Sequence, residues 1–412
     1  MTVQVALVDP FSSGLSLIEA FRERGVEPFH VYQQFLAEAY ELDPGPGGKL
    51  LHENFSATCT ALKEYGAEAV LAASETGVGL ADELAAALGL PHNVPELAAA
   101  RTSKLEEARA LQAAGVPFAR TEEICGQDDL RRVLGLFDRF PVVVKPVASA
   151  GSDGVVICAD AEAARRAVEG LLGHRNAVGA VNDSVLLQEH LDGQQYILNT
   201  VTVDGQHVIS DVLVSRFDEV DGKPIFRHKI SRRELDATDR TVVDYGLCCL
   251  DAVGLVNGAG HTEIRLTDRG PLLIEVNFRL MGPILPADVY VPALGHSHAT
   301  LFADAVLGRP VFRRHAARGY PVPKKFFAFV FMRAHDSGLV LGMPGLDEVR
   351  RLDTFHSFTK LPRLGAEIRN PLMTTGSGGI AYFVSPDAEA ILADMDRVHE
   401  LEDTGRLYSM SG

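Results

Sequence analysis

Basic charge is what this sequence is short of: 39 Lys and Arg stand against 55 Asp and Glu, a formal net charge of −16. Nucleic-acid binding draws most of its affinity from cations that neutralise phosphates. An acidic chain with no Lys/Arg cluster is a poor fit to that work, although a few well-placed cations still suffice for a small site. Cysteine is scarce too. Cys59, Cys125, Cys158, Cys248 and Cys249 are odd in number and no two are spaced Cys-x-x-Cys. That argues against a disulfide framework and a structural zinc site, and it fits a reducing cytoplasm. No stretch approaches ~20 uninterrupted apolar residues, so no membrane span is expected. Met1–Asp9 lacks a basic n-region, so no signal peptide is expected either. Tryptophan is absent, which leaves pocket size open. Gly-x-Gly-x-x-Gly does not follow the first apolar run, which counts against a dinucleotide-binding oxidoreductase.

What is present is a long, ordinary globular composition. At roughly 100–200 residues per domain, 412 residues imply two to four domains. Val3–Val8 and Ala69–Ala73 are short apolar runs, each followed by a turn and a helical pattern (Leu15–Arg24 and Val78–Leu88). Such units read as parallel strands of an open α/β layer. Ala98–Gly115 reads as helix. From Pro141 onward strands dominate, at Val142–Lys145, Val155–Ala159, Val185–Gln188, Tyr196–Val203, His207–Val214, His261–Leu266 and Leu272–Asn277, with helices at Asp160–Leu172 and Asp239–Val253. A last unit has strands at Phe327–Arg333 and Gly379–Val384 and a helix at Pro386–Glu402. The expected fold is an α/β open parallel sheet over 1–98, an α+β region divided at 99–190 and 191–320, and a lid-like α+β subdomain over 321–412.

The richest chemistry lies in His261-Thr-Glu-Ile-Arg-Leu and Leu272-Leu-Ile-Glu-Val-Asn277, joined by a turn at Thr267–Gly270. Side chains alternate along a strand. Ile264, Leu266, Leu272, Ile274 and Val276 can therefore share an apolar face, leaving His261, Glu263, Arg265, Glu275 and Asn277 on the other. A turn centred on Arg269 would set Glu263 opposite Glu275. Like charges facing each other on a sheet are destabilising, and a buried pair shares a proton or binds a cation. Two carboxylates and an amide oxygen are hard ligands suited to Mg²⁺. Arg279 could reach the same face and grip an anion. A solvated face on an exposed hairpin is the alternative; the four residues together favour the metal.

Upstream, Val142-Val-Val-Lys-Pro runs into Ser149-Ala-Gly-Ser-Asp-Gly154. A loop of small residues lets backbone N–H groups approach phosphate oxygens, and Gly151 and Gly154 relieve steric limits. Lys145 is placed to neutralise phosphate charge. By itself such a loop is more often a turn, and Lys104 a surface helix residue; both gain force from their surroundings.

The order of features resembles the ATP-grasp superfamily. It comprises Lys104, then Lys145-Pro-Val-Ala-Ser-Ala-Gly-Ser-Asp-Gly-Val, then Leu187-Gln-Glu-His-Leu-Asp-Gly-Gln-Gln-Tyr196, then His261-Thr-Glu…Glu275-Val-Asn-Phe-Arg279…Gly282. Within it the chain is similar to carboxylate–amine ligases of the amino-acid ligase (dipeptide synthetase) type, over nearly its whole length. The resemblance implies that Lys104 and Lys145 contact ATP phosphates and that Ser149, Ala150, Gly151, Ser152 and Gly154 close over them. Gln188, Glu189 and Leu191 would form the adenine hinge. Glu263, Glu275 and Asn277 would hold Mg²⁺, with Mn²⁺ as a substitute, and Arg279 would steady the transferred phosphate. Gln195 stands where the family commonly has a ribose-binding Glu; an amide still hydrogen-bonds a hydroxyl. Of Arg216, His228 and Lys229, His228 is the one expected to face phosphate, because such ligases tend to carry a His in this region.

The N-terminal layer fits the same reading. Asp9-Pro-Phe-Ser-Ser-Gly14 and Ser74-Glu-Thr-Gly77 follow strands, and ligands bind at the carboxyl ends of open parallel sheets. Ser12 and Ser13 could present helix-terminal amides to a substrate anion, Glu75 could hold an ammonium group, and Gly282 is placed with substrate. Ser12 and Ser13 are equally suited to capping a helix, and Glu75 to a first-turn charge. The expected activity is ATP-dependent joining of a small carboxylate to an amine through an acyl-phosphate, with a homodimer as the family-based expectation. The competitors are a carboxylating or formylating enzyme of the same architecture and an ATP-binding regulator without turnover.

Overall fold

The structure, a computed structural model, describes residues 3–39, 46–147, 154–176, 181–220, 223–282, 286–320, 322–371 and 378–411. Its first sheet contains β1 (Val5–Val8), β2 (Phe29–Gln33), β3 (Lys49–His52) and β4 (Ala69–Ala72), in the order β3-β2-β1-β4 and parallel throughout. β1 is buried along its whole length, as expected of a parallel strand covered on both faces. The loops leaving β1 and β4 cross at close range. A Cβ on Gly77 would come within 2.5 Å of the Val8 carbonyl, and one on Gly14 within 2.9 Å of the Ala73 carbonyl. Glycine at both positions lets the two loops share one rim.

The second sheet holds β5 (Thr121–Ile124), β6 (Val142–Pro146), β7 (Val156–Cys158) and β8 (Val185–Glu189), antiparallel in the order β5-β8-β6-β7. Helices Gln127–Leu134 and Ala161–Leu171 pack on it through Leu130, Val133, Ala164 and Val168. The Asp160 carboxylate starts the second of these helices by accepting from the Ala163 amide at 2.7 Å.

The third and largest sheet draws on β9 (Gln194–Val203), β10 (Gln206–Val220), β11 (Lys223–Ser231), β12 (Gly258–Thr267), β13 (Gly270–Asn277) and β14 (Phe326–Phe331). After them come β15 (Gly338–Gly342), β16 (Phe355–Thr359), β17 (Glu367–Ile368), β18 (Ile380–Ser385) and β19 (Ser409–Met410). Among the described residues the order is β13-β12-β9-β10-β11-β14-β18-β16, with β15, β17 and β19 in a separate small sheet. Helix Ala237–Ala252 covers the β12–β13 end of one face through Val242, Val243 and Leu250 packed on Leu198, Ile264 and Leu273. Helix Ala388–Asp403 covers the β14–β18 end through Ile391, Met395 and Val398. β11 pairs with β14, so the large sheet takes strands from both sides of residue 320. The segment around His228 and Lys229, to which the sequence assigned no strand, is β11, a central strand. Helices Ala287–Leu294, His298–Val306 and Pro310–Arg318 were not expected either. Among the described residues no helix is long and apolar enough to cross a membrane.

Candidate active site

The β12–β13 hairpin pairs Glu263 with Glu275 and His261 with Asn277. Its turn lies between Thr267 and Gly270, a register that on its own would put Ile274 opposite Glu263. A bulge between Glu263 and Ile264 skips Ile274 and brings Glu275 across from Glu263. The same step lets Leu273 join Ile264 and Val276 in the core, while the carboxylates face the other way. Of the expected apolar face, Ile264, Leu266 and Val276 are in place, while Leu273 stands instead of Ile274 and of Leu272, which pairs with Arg265 on the other face.

Each carboxylate has its own support. Glu263 accepts from Gln195 Nε2 at 2.7 Å and meets His261 Nε2 at 3.3 Å. His261 in turn faces the Asn199 amide oxygen through Nδ1 at 2.9 Å, and Asn199 donates to the buried Asp211 at 2.7 Å. Glu275 meets Lys104 Nζ at 3.1 Å and accepts from Asn277 Nδ2 at 3.1 Å. Burial pushes the Glu275 carboxyl up, yet Lys104, the Asn277 hydrogen bond and Lys145 outweigh it and bring it to about 2. For Glu263 burial is likewise outweighed, by the His261 hydrogen bond and the Lys229 charge, and its carboxyl falls below the ordinary range. Both acids are thus held ionised where unpaired burial would cost several kcal/mol each.

The lysines arrive on separate elements. Lys104 opens helix Lys104–Ala113, whose cap is Ser103, and its backbone N–H donates to the Val147 carbonyl just past β6. Lys145, on β6, donates to Gln188 Oε1 on β8 at 2.9 Å; Gln188 donates onward to Thr121 Oγ1 at 2.8 Å. Burial and the neighbouring Lys104 lower Lys145 to about 8. A carboxylate missed in the sequence sits beneath them. Glu107 accepts from the Val276 amide at 2.8 Å, and burial raises it to about 8. Its spacing of three from Lys104, on one helical face, was the signal available.

Arg279 joins this group to the N-terminal rim. Its Nε donates to Glu75 at 2.7 Å, its Nη2 to Asn277 Oδ1 at 3.3 Å and its Nη1 to the Leu280 carbonyl at 2.9 Å. The Glu75 loop is set by Asp9, which accepts from the Gln33 amide at 2.9 Å and from Thr76 Oγ1 at 2.8 Å. Gly282 lies beside the Arg279 guanidinium, 4.0 Å from where a Cβ would stand. Ser13 opens helix Ser13–Arg22 and turns its hydroxyl to the Ala73 carbonyl at 3.5 Å, while Ser12 is exposed with φ 49°.

Other expected residues lie elsewhere or are differently engaged. His228 points away from the carboxylates. Pairing between β10 and β11 skips Arg227, and both Arg227 and His228 turn toward helix Ala388–Asp403. His228 Nδ1 meets His399 Nε2 at 3.0 Å, and His399 meets Glu402 at 2.9 Å. Burial and the His399 charge lower His228 to about 3, leaving it neutral. Lys229, the next residue, takes the opposite face and is the one that feels Glu263 and Glu275; burial lowers its ammonium, which Glu263 partly restores. Arg216 pairs with Asp218 and Asp396, outside the group. Gln195 spends its amide between Glu263 and Arg265. Glu189 pairs with Arg269 of the β12–β13 turn and accepts from the Arg120 amide. Leu191 follows β8 at its end. Gly154 has φ +68°, with Pro146 2.9 Å from where a Cβ would stand; Ser149, Ala150, Gly151 and Ser152 lie outside the described residues.

The donor set suits a hard divalent cation. Among the described residues no cluster of three or more His, Cys, Asp or Glu could hold a metal. Two ionised carboxylates with an adjacent amide oxygen form an incomplete shell, of the kind that shares Mg²⁺ with phosphate oxygens. Three lysines and an arginine around the pair give the site the positive balance that the chain as a whole lacks.

Known proteins share this architecture. An ATP-grasp domain model matches residues 138–287. The chain is 32% identical over 350 residues to dapdiamide A synthase of Enterobacter agglomerans, covering 82% of each. Among solved structures, L-amino acid ligase from Bacillus licheniformis superposes with a TM-score of 0.76 at 18% identity, covering 97% of this chain and 98% of that one. N5-carboxyaminoimidazole synthase from Aspergillus clavatus, solved with ADP and 5-aminoimidazole ribonucleotide, gives 0.70 at 12% identity over 98% and 99%.

Proposed function

This chain belongs to the ATP-grasp carboxylate–amine ligases, and from that premise we propose how its residues join an amino-acid-like carboxylate to an amine at the expense of ATP. It is an ATP-dependent ligase forming amide or peptide bonds on amino-acid-like substrates. The observation that carries the residue assignment is the pair Glu263 and Glu275, facing each other and ionised, within a ring of Lys104, Lys145, Lys229 and Arg279.

Phosphoryl transfer asks mainly for positioning and for neutralisation of phosphate charge. Lys104 and Lys145 hold the nucleotide phosphates. Glu263, Glu275 and Asn277 would hold Mg²⁺, or Mn²⁺ in its place, which when bound would supply positive charge against the phosphates. The substrate carboxylate attacks the γ-phosphorus, giving an acyl-phosphate and ADP. Arg279 and Lys229 steady the transferred group, and Glu75 holds an ammonium group of substrate. The amine then attacks the acyl carbon and phosphate leaves. Gln188, Glu189 and Leu191 line the adenine end and Gln195 the ribose. Domain divisions at 98, 190 and 320 describe how these parts are carried. Five cysteines free of disulfides support a cytoplasmic setting, and a homodimer remains our expectation for the assembly.

The test is ADP release with pairs of amino acids, with hydroxylamine as an amine substitute and mass analysis of products. Hydroxamate formation dependent on one amino acid supports the reading. ADP release that requires bicarbonate or formate and yields no hydroxamate would overturn it.

A further inference from the structure

Behind the site, between the first and third sheets, lies a cavity of about 210 Å³. One wall is β4, and five consecutive residues, Glu68 to Ala72, line it. The side chains of Val70 and Leu71 go elsewhere: Val70 packs in the core of the first sheet and Leu71 against the opposite core. Consecutive lining by alternating residues means that the strand meets the cavity edge-on. β4 is the outer strand of its sheet. Ala69 and Ala73 donate toward β1, to the Gln4 and Val8 carbonyls. By the two-residue period, the N–H and C=O groups of Val70 and Ala72 face outward, as on any free strand edge.

The other polar groups are spent on each other. Asp82 is taken by Arg101 at 2.6 Å and Asn93 at 2.8 Å, and the Asn93 oxygen accepts the Val256 and Asn257 amides. The interior beyond the edge is apolar, with Val78, Phe278, Phe302 and Val306. Water needs two to four polar partners to be held in such a space. Glu68, whose Oε1 accepts from the Gln4 amide at 3.2 Å and whose second oxygen stays available, and Asp204, both exposed, add two carboxylates to the lining.

We propose that this cavity is a second, non-catalytic site for a short amide: a molecule with an ammonium group, one peptide-like amide and an apolar side chain. The ammonium meets Glu68 and Asp204, the amide pairs with the β4 edge as an added strand does, and the side chain fills the apolar end. The class matches what an amide-forming enzyme releases, so the site is suited to product-dependent control; that part rests on the ligase reading, whereas binding does not. Two covalent links reach the catalytic group. Phe278, in the cavity wall, lies between Asn277 and Arg279, and β4 leads directly to Glu75.

The experiment uses the full chain with L-leucinamide as probe and benzene as apolar control, read by calorimetry and thermal shift. Expected is saturable leucinamide binding to the wild type and to Glu75→Gln. It weakens at least about tenfold in Ala85→Leu, which fills the cavity, and in Glu68→Lys, which reverses charge at an exposed position and so spares folding. A leucinamide-dependent rise in substrate KM that disappears in Glu68→Lys would complete the regulatory part. Binding lost in Glu75→Gln but kept in Glu68→Lys would put the probe in the catalytic site and overturn the proposal, as would no saturable binding or equal binding of benzene. Failure of the ligase reading shows separately, as absent amino-acid-dependent ADP release.

Discussion

The two ribbons that flank β9 in the large sheet handle buried charge in opposite ways. In β12–β13, like charges face each other, and cations from other elements come to them. In β10–β11, the bulge at Arg227 turns Arg227 and His228 to the back face, where Asp218, Glu402 and Asp403 pair with Arg227 and His399 meets the neutral His228; Lys229 looks toward the carboxylates. The first ribbon is built for chemistry and the second chiefly for holding the C-terminal helix. Adjacent residues on one strand, His228 and Lys229, belong to different functions because side chains alternate.

The comparison breaks most sharply at the carboxylates. Glu275→Gln removes one of the facing charges and leaves Lys104 uncompensated; ADP release should fall about 100–1000-fold, measured with circular dichroism to show that the fold survives. Next in size is the pair of neighbours. Lys229→Ala should lower ADP release about 10–100-fold, whereas His228→Ala should leave turnover within about threefold and cost about 1–3 kcal/mol of stability through the buried partner left behind. Equal losses of turnover in both variants would erase the distinction between the ribbons.

Glu75→Gln is expected to raise the KM of one amino-acid substrate about tenfold with little change in kcat, as loss of a ground-state contact does. The smallest effect concerns pH. His228 is held neutral, with its folded value lowered from 6.5 to about 3 by burial first and by His399 second. A lowered value means stability that is present above pH 6.5 and lost as pH falls toward 3. The slope is at most about 1.4 kcal/mol per pH unit. His228→Gln should flatten the melting temperature against pH in that window, whereas Lys229→Gln should not.

Much of the catalytic ribbon could be read in one dimension. Glu263, Glu275, Asn277 and Arg279 stand at spacings that alternation converts directly into a shared face, and the Thr267–Gly270 turn keeps the partners close in sequence. The bulge at Ile274 could not be seen, although its consequence could. β11 was harder. Its Arg227-His-Lys229 run is polar on both faces and interrupts any hydrophobic period between Ile225 and Ile230, and the Asp221-Gly222 pair, a hairpin signal, was the cue passed over. Glu107 escaped, and Lys229 was ranked below His228, because burial beside the carboxylates, not residue type, sets them apart.

The sequence by itself determined the layered α/β and α+β plan and the facing acids, because both follow from short-range periodicity and residue chemistry, while the class of reaction was legible through the family resemblance of its ordered motifs. Tertiary structure alone decided which of two neighbouring residues faces the carboxylates, that Arg279 reaches Glu75 across 204 positions of chain, and that a strand edge borders a cavity. Those outcomes depend on strand registers and on partners brought from distant segments, and no local pattern encodes where a distant segment will lie.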